Sequence, residues 1–145
     1  MSIGFTGTQV GLTNSQRRNL KRALGAFLEK HNDLHHGDCI GADKEAHHIA
    51  RALSYRVILH PPTLSSKRAF CDWDVQRDPL SYLERNTEIV KESDILIACP
   101  KEKEEQLRSG TWSTIRRARR YNKNIIILFP DGTISKEKRS EGEYQ

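Results

Sequence analysis

Short apolar runs alternate with amphipathic segments along most of this chain, and that alternation leaves few folds open. Residues 3–6, 34–36, 55–59, 94–99 and 124–129 read as strands. After Asp94 the run to Cys99 is apolar throughout, as a strand covered on both faces must be. Between the strands the period changes to that of a helix. Thr13-Asn14-Ser15-Gln16 is a capping box, with Leu20, Ala23, Leu24, Phe27 and Leu28 on one face after it and an expected end near His31. A second helix opens at Asp43 and carries Ala46, Ile49, Ala50 and Leu53. Helices are also expected at 80–92 and 111–121. Strand and helix in strict alternation predict an α/β, Rossmann-like, doubly wound and mainly parallel sheet of about five or more strands flanked by helices. Residues 63–79 have no period and form a long loop, and 1–133 is expected as one domain with a polar, flexible tail at 134–145.

A chain of 145 residues can bury a core without staples. No stretch nears the roughly 20 apolar residues of a membrane span, and the N-terminus lacks a signal-peptide pattern. A cytoplasmic protein with no membrane partner is expected. Three widely spaced cysteines, Cys39, Cys71 and Cys99, form neither a disulfide framework nor a zinc finger. The net charge of +5 gathers in two clusters, Arg17, Arg18, Lys21 and Arg22 and then Arg116, Arg117, Arg119 and Arg120. Both read first as solvated helix faces. They leave nucleic acid open as a partner, through salt-dependent phosphate contacts.

In a doubly wound sheet the ligand sits at the carboxyl ends of the strands, beside helix N-termini. Four segments lie there. Thr6, Gly7 and Thr8 follow the first strand with small residues, backbone N–H groups and hydroxyls. Gly37, Asp38, Gly41 and Asp43 form a glycine turn at the start of the second helix. Asp43 is suited to capping that helix, and Asp38 to holding a ribose hydroxyl or fixing the loop. Arg85 can fork onto a phosphate and Asn86 can read a hydroxyl or base edge. Ser109, Gly110 and Thr111 open the last helix, where N–H groups and the helix dipole favour an anion. A metal site from His36, Asp38, His47 and His48 fails on spacing, so neither metal nor cofactor is expected. Trp112 reads as core or as a stacking surface. Trp73, between two aspartates in the long loop, reads as a lid over the pocket.

The segments at 4–8, "HGDCIGAD" at 36–43, "ERN" at 84–86, "SDILIACP" at 93–100 and "SGTW" at 109–112 occur in an order that resembles the SLOG superfamily. This is the Rossmann-like fold of the DNA-processing protein DprA and the Lonely Guy phosphoribohydrolases. Within it the chain is similar to small bacterial and phage proteins of the DUF2493 type. The resemblance implies a nucleotide-derived ligand with its phosphate at 109–111, Thr6, Gly7 and Thr8 as facing wall, and Gly37, Asp38, Gly41 and Asp43 as floor. It also implies homo-oligomers, in which Ile115 and Ala118 would need a partner's cover. Lonely Guy enzymes carry PGGxGTxxE. Here Thr114 stands at the glutamate, and Arg108-Ser109 replaces the preceding glycines. Thr114 can neither activate water nor stabilise a sugar cation, so no catalytic residue is assigned; Asp38, Asp72 or Asp74 could substitute for the glutamate. The reading is therefore a binding protein, sensor or sequestering, with two alternatives: an N-glycosidase acting on nucleotides, and DprA-like binding of single-stranded DNA.

Overall fold

The computed structural model describes residues 2–29 and 32–140. Its elements alternate from the start: β1 (Ser2–Gly7), α1 (Asn14–Phe27), β2 (Asp33–His36), α2 (Ala42–Ala52), β3 (Arg56–Leu59), β4 (Val75–Gln76), α3 (Tyr82–Glu92), β5 (Ile95–Cys99), α4 (Gly110–Arg120), β6 (Asn124–Leu128) and β7 (Ile134–Glu137). The seven strands form one sheet in the order β4-β3-β2-β1-β5-β6-β7, parallel except for the β6–β7 pair. This is the expected Rossmann-like α/β fold.

Period-2 alternation divides the sheet's side chains between two helical layers. Ile95, Ile97 and Cys99 of β5 join Ile3 and Phe5 of β1 beneath α1 and α2. Leu96 and Ala98 face the other way, onto Ile89 and Val90 of α3 and Trp112, Ile115 and Ala118 of α4. Each such buried Leu, Ile or Phe contributes about 1.5–3 kcal/mol. Ile115 and Ala118 are fully covered within the chain. The apolar face expected to need a second subunit is therefore already packed.

The capping box forms as read. The Thr13 hydroxyl accepts from Gln16 N, and Gln16 Oε1 accepts from Thr13 N. The buried Gln16 amide also donates to the carbonyls of Pro100 (2.8 Å) and Leu128 (2.9 Å), tying the start of α1 to the ends of β5 and β6. α1 ends at Phe27, and the expected terminus near His31 falls outside the described residues.

Two segments differ from expectation. Ile134–Glu137, read as part of a polar tail, pairs antiparallel with β6. Asp131 organises the turn that returns the chain, accepting from Thr133 N and Oγ1. The period-2 signal of β7 is weak because edge strands carry polar side chains on both faces. The long loop is not free either: β4 lies within it, and three aspartates hold it. Asp38 accepts from Arg68 Nε (2.8 Å) and Cys71 N (2.9 Å). Asp72 meets His47 Nε2 (2.6 Å) and Arg51. Asp74 accepts from Arg51 (2.6 Å) and Val57 N (2.7 Å).

Candidate functional site

Strand order reverses between β1 and β5, because the chain winds outward through β2 and β3 on one side and through β6 on the other. Loops leaving such a point diverge and open a crevice. A cleft of about 880 Å³ lies there. Thr6, Gly7, Thr8, Gly37, Asp43, Arg85, Asn86, Ser109, Gly110 and Thr111 all line it. Asp38 and Gly41 do not.

Close backbone packing shapes the β1 wall. A Cβ on Gly7 would collide with Ala42 Cβ, and Ala42 N donates to Thr8 O (2.9 Å), so α2 starts hard against β1. Gly41 has φ of +85°, and a side chain there would run into the Gln9 backbone. Its role is to let two loops touch. Asp38 is fully buried, and its carboxylate is directed at Arg68 and Cys71 of the long loop. Of its two anticipated roles, the structure shows loop fixing.

Asp43 is the carboxyl group in the floor. It accepts from Cys39 N (3.2 Å), and burial pushes its pKa up to about 6. Burial also pushes the adjacent Cys39 thiol up to about 11, which makes it a poor nucleophile. Arg85 is 5% exposed and its guanidinium is engaged by the fold: Nη1 donates to Gly37 O (2.6 Å) and His60 O (3.2 Å), and Nε to Asn86 Oδ1 (2.7 Å). It lines the cleft without a free fork for phosphate.

The opposite wall is the start of α4. Ser109 is the N-cap, its hydroxyl accepting from Trp112 N (3.2 Å). Among the described residues nothing accepts from the N–H groups of Gly110 and Thr111. These are the unfilled donors of a helix start. A Cβ on Gly110 would meet nothing within 4 Å. Lys101 and Arg108 line the same cleft. Thr114 is buried and donates to Gly110 O (2.9 Å), a helix-internal bond with no chemical role.

Sequence reasoning missed the cleft's rim. Val10 (72% exposed), Leu83 (59%) and Leu107 (85%) border it, together with Tyr82 and Lys67. Leu107, a lone apolar residue in a charged loop, was the one signal available. Trp73 is half exposed on the long loop and is not part of the cleft, which corrects the lid reading. Trp112 is buried against Phe129, ring centroids 6.3 Å apart, and belongs to the core.

Among the described residues, two clusters of potential metal ligands lie away from the cleft. In His36, His47 and Cys71, the Asp38 N–H donates to His36 Nδ1 (3.0 Å). A neutral His36 must then carry its hydrogen on Nε2, which donates to His47 Nδ1 (3.1 Å), and His47 Nε2 in turn donates to Asp72. That chain uses the lone pairs a metal would need. In His35, His60 and Glu92, one of two ring nitrogens 2.8 Å apart must carry a hydrogen, and Arg77 occupies the Glu92 carboxylate. On α4, Arg116 and Arg119 pair with Glu105, Arg119 also with Glu137, and Arg117 bonds Thr87 and Ser113. Two of the four arginines in that cluster, Arg116 and Arg119, are thus paired with carboxylates of the chain itself.

No protein-family profile matches the chain, and no curated protein matches it. Solved structures do. The molybdenum cofactor binding protein from the phototrophic bacterium Rippkaea orientalis is 23% identical, with a TM-score of 0.69 over 88% of this chain and 76% of that one. The fold is shared. The molybdenum cofactor carrier protein of Chlamydomonas reinhardtii gives 18% identity and a TM-score of 0.64, over 88% of this chain and 75% of that one. DNA processing protein A from Helicobacter pylori, described in its single-stranded DNA binding mode, gives 19% and 0.63, over 88% of this chain and 65% of that one. Among the described residues no helix is long and apolar enough to cross a membrane.

Proposed function

We propose that this chain binds a nucleotide-derived, phosphate-containing small molecule in the cleft, as a sensor or sequestering protein. The observation that carries the reading is the pair of unfilled N–H donors at Gly110 and Thr111, two residues that line the cleft together with Lys101 and Arg108. Preorganised N–H groups at a helix start bind anions with no reorganisation. Two fold neighbours are described as proteins of the molybdenum cofactor, and the resemblance to SLOG proteins points the same way. The cleft volume lies within the range of small-molecule sites. Binding without turnover is favoured because Thr114, at the position of the Lonely Guy glutamate, and Asp38 are both committed to the fold.

Mass spectrometry of small molecules released by denaturing the purified protein should recover a nucleotide derivative. Calorimetric titration with nucleoside monophosphates, ADP-ribose and cyclic nucleotides should then give binding that Gly110→Ala weakens about tenfold or more. The new methyl would project into open space where the ligand approaches the backbone, leaving folding intact. Failure of every compound to bind the wild type refutes the reading.

A second reading, single-stranded DNA binding, draws on the likeness to DNA processing protein A and on Lys21 and Arg22 of α1. Neither carries an ion pair among the described residues. A mobility-shift series across salt tests it: an affinity that ignores salt excludes phosphate-backbone contact.

A further inference from the structure

Asn86 is the polar side chain of the cleft whose orientation is chemically forced. A guanidinium can only donate, so the Asn86 atom facing Arg85 Nε at 2.7 Å must be its carbonyl oxygen. Arg85 is itself immobilised by the carbonyls of Gly37 and His60. The Asn86 amide therefore turns its NH2 group away from Arg85. Asn86 lines the cleft, and among the described residues nothing accepts from its Nδ2. The side chain thus holds two unfilled donors at the cleft wall, while its oxygen is already engaged by Arg85.

The neighbours of Asn86 say what those donors would meet. Tyr82, Asn86 and Ile89 lie one helical turn apart along a stripe of α3, and all three line the cleft. Leu83 adds an exposed aliphatic surface beside them. A donor group set among an aromatic ring and aliphatic side chains suits the edge of a planar heterocycle whose faces are apolar.

We infer that Asn86 is a specificity-determining residue selecting ligands whose heterocyclic ring presents a hydrogen-bond acceptor, and that Arg85 is a positioning residue that holds the Asn86 amide in its donating orientation. This rests on the proposed ligand-binding role of the cleft. It assigns the α3 wall to the ring and reassigns Arg85 from ligand contact to support.

Three variants test it, with 5′-GMP, 5′-AMP and inorganic phosphate as probes. Asn86→Asp keeps an oxygen for Arg85 Nε, so folding stability should hold or rise, yet it places acceptors where donors stood. Nucleotide affinity should fall about tenfold or more. Asn86→Ala should lose less than Asn86→Asp, and phosphate binding should be unchanged in both. A merely structural Asn86 would give the opposite order, with Ala the worse. Arg85→Met removes buried bonds, so its folding is checked first. The wild type supplies a second readout: nucleotide, but not phosphate, should shift the Asn86 NH2 resonances in 15N NMR. Unchanged affinity in Asn86→Asp, or resonances that do not move, would overturn the inference while leaving the phosphate site intact. A wild type that binds neither nucleotide nor phosphate overturns the inference and the ligand-binding reading together.

Discussion

Asp38→Asn separates two roles that the sequence left open for this carboxylate. Asp38 sits in the left-handed region at φ +57°, which Asn tolerates nearly as well. The amide retains an oxygen for Cys71 N but loses the charged partner of Arg68, whose side chain is 16% exposed. A charge-assisted bond of this kind is worth about 1.5–3 kcal/mol, and Arg68 can recover part of it from water, so the expected loss is about 2 kcal/mol. Asp38→Ala should cost about 4 kcal/mol, since it also orphans the Cys71 amide and places a Cβ-bearing residue without a compensating side-chain bond in the left-handed region. Urea unfolding measures both. Limited proteolysis locates the effect: with about 2 kcal/mol less tethering, cleavage within residues 63–80 should rise about thirtyfold in Asp38→Asn. Affinity for any ligand that binds the wild type should stay within about threefold. Unchanged stability together with lost affinity would refute the reasoning and return Asp38 to the ligand.

Gly41→Ala should cost more than about 3 kcal/mol, because the new Cβ meets both a positive φ and the Gln9 backbone. Gly25→Ala on α1, where a Cβ meets nothing within 4 Å, should gain about 0.5–1 kcal/mol, and paired denaturation curves compare the two. Acid should destabilise the fold. Burial holds His36 well below its ordinary value and His60 at about 3, so the unfolded chain takes up protons near 6.5 that the folded chain refuses. Their contribution is full above that value and falls as pH drops below it, for His60 by about 1.4 kcal/mol between pH 7.5 and 5.5 and for His36 in the same direction. Asp43, raised to about 6, opposes this by about 0.8 kcal/mol over the same window. The net loss is read from urea midpoints at the two pH values, and His60→Gln should flatten the dependence. Gln16→Leu should cost about 2–4 kcal/mol by orphaning two buried carbonyls, measured by thermal melts.

The fold was legible in the sequence because each helix and each central strand carries its own period. Ile95–Cys99 reads as doubly covered for the reason it is doubly covered: odd and even positions feed different helical layers. β4 and β7 escaped because they are edge strands in which neither face is buried, so no apolar period marks them. The candidate site was legible as position and not as wiring. The switch-point rule directs attention to strand ends, and ten of the twelve residues it drew line the cleft. It cannot tell a residue that faces the cleft from one that holds the cleft's walls. Asp38, Gly41 and Arg85 are of the second kind, and what decides each is a contact across 30 or more residues: Asp38 with Arg68, Gly41 with Gln9, Arg85 with Gly37. No local pattern encodes such pairings, because they form only once two loops have been brought together by strands that are themselves nonlocal neighbours. The same limit explains the rim. Val10, Leu83 and Leu107 look like scattered surface hydrophobics in the chain, and they become a surface with one orientation only after α1, α3 and α4 are docked on the sheet. Chemistry-bearing residue types at strand ends therefore point to the cleft, while the division between residues that face it and residues that support it is a property of tertiary hydrogen bonding. Arg85 makes the point: its charge suggests a phosphate, and its partners make it the residue that aims Asn86.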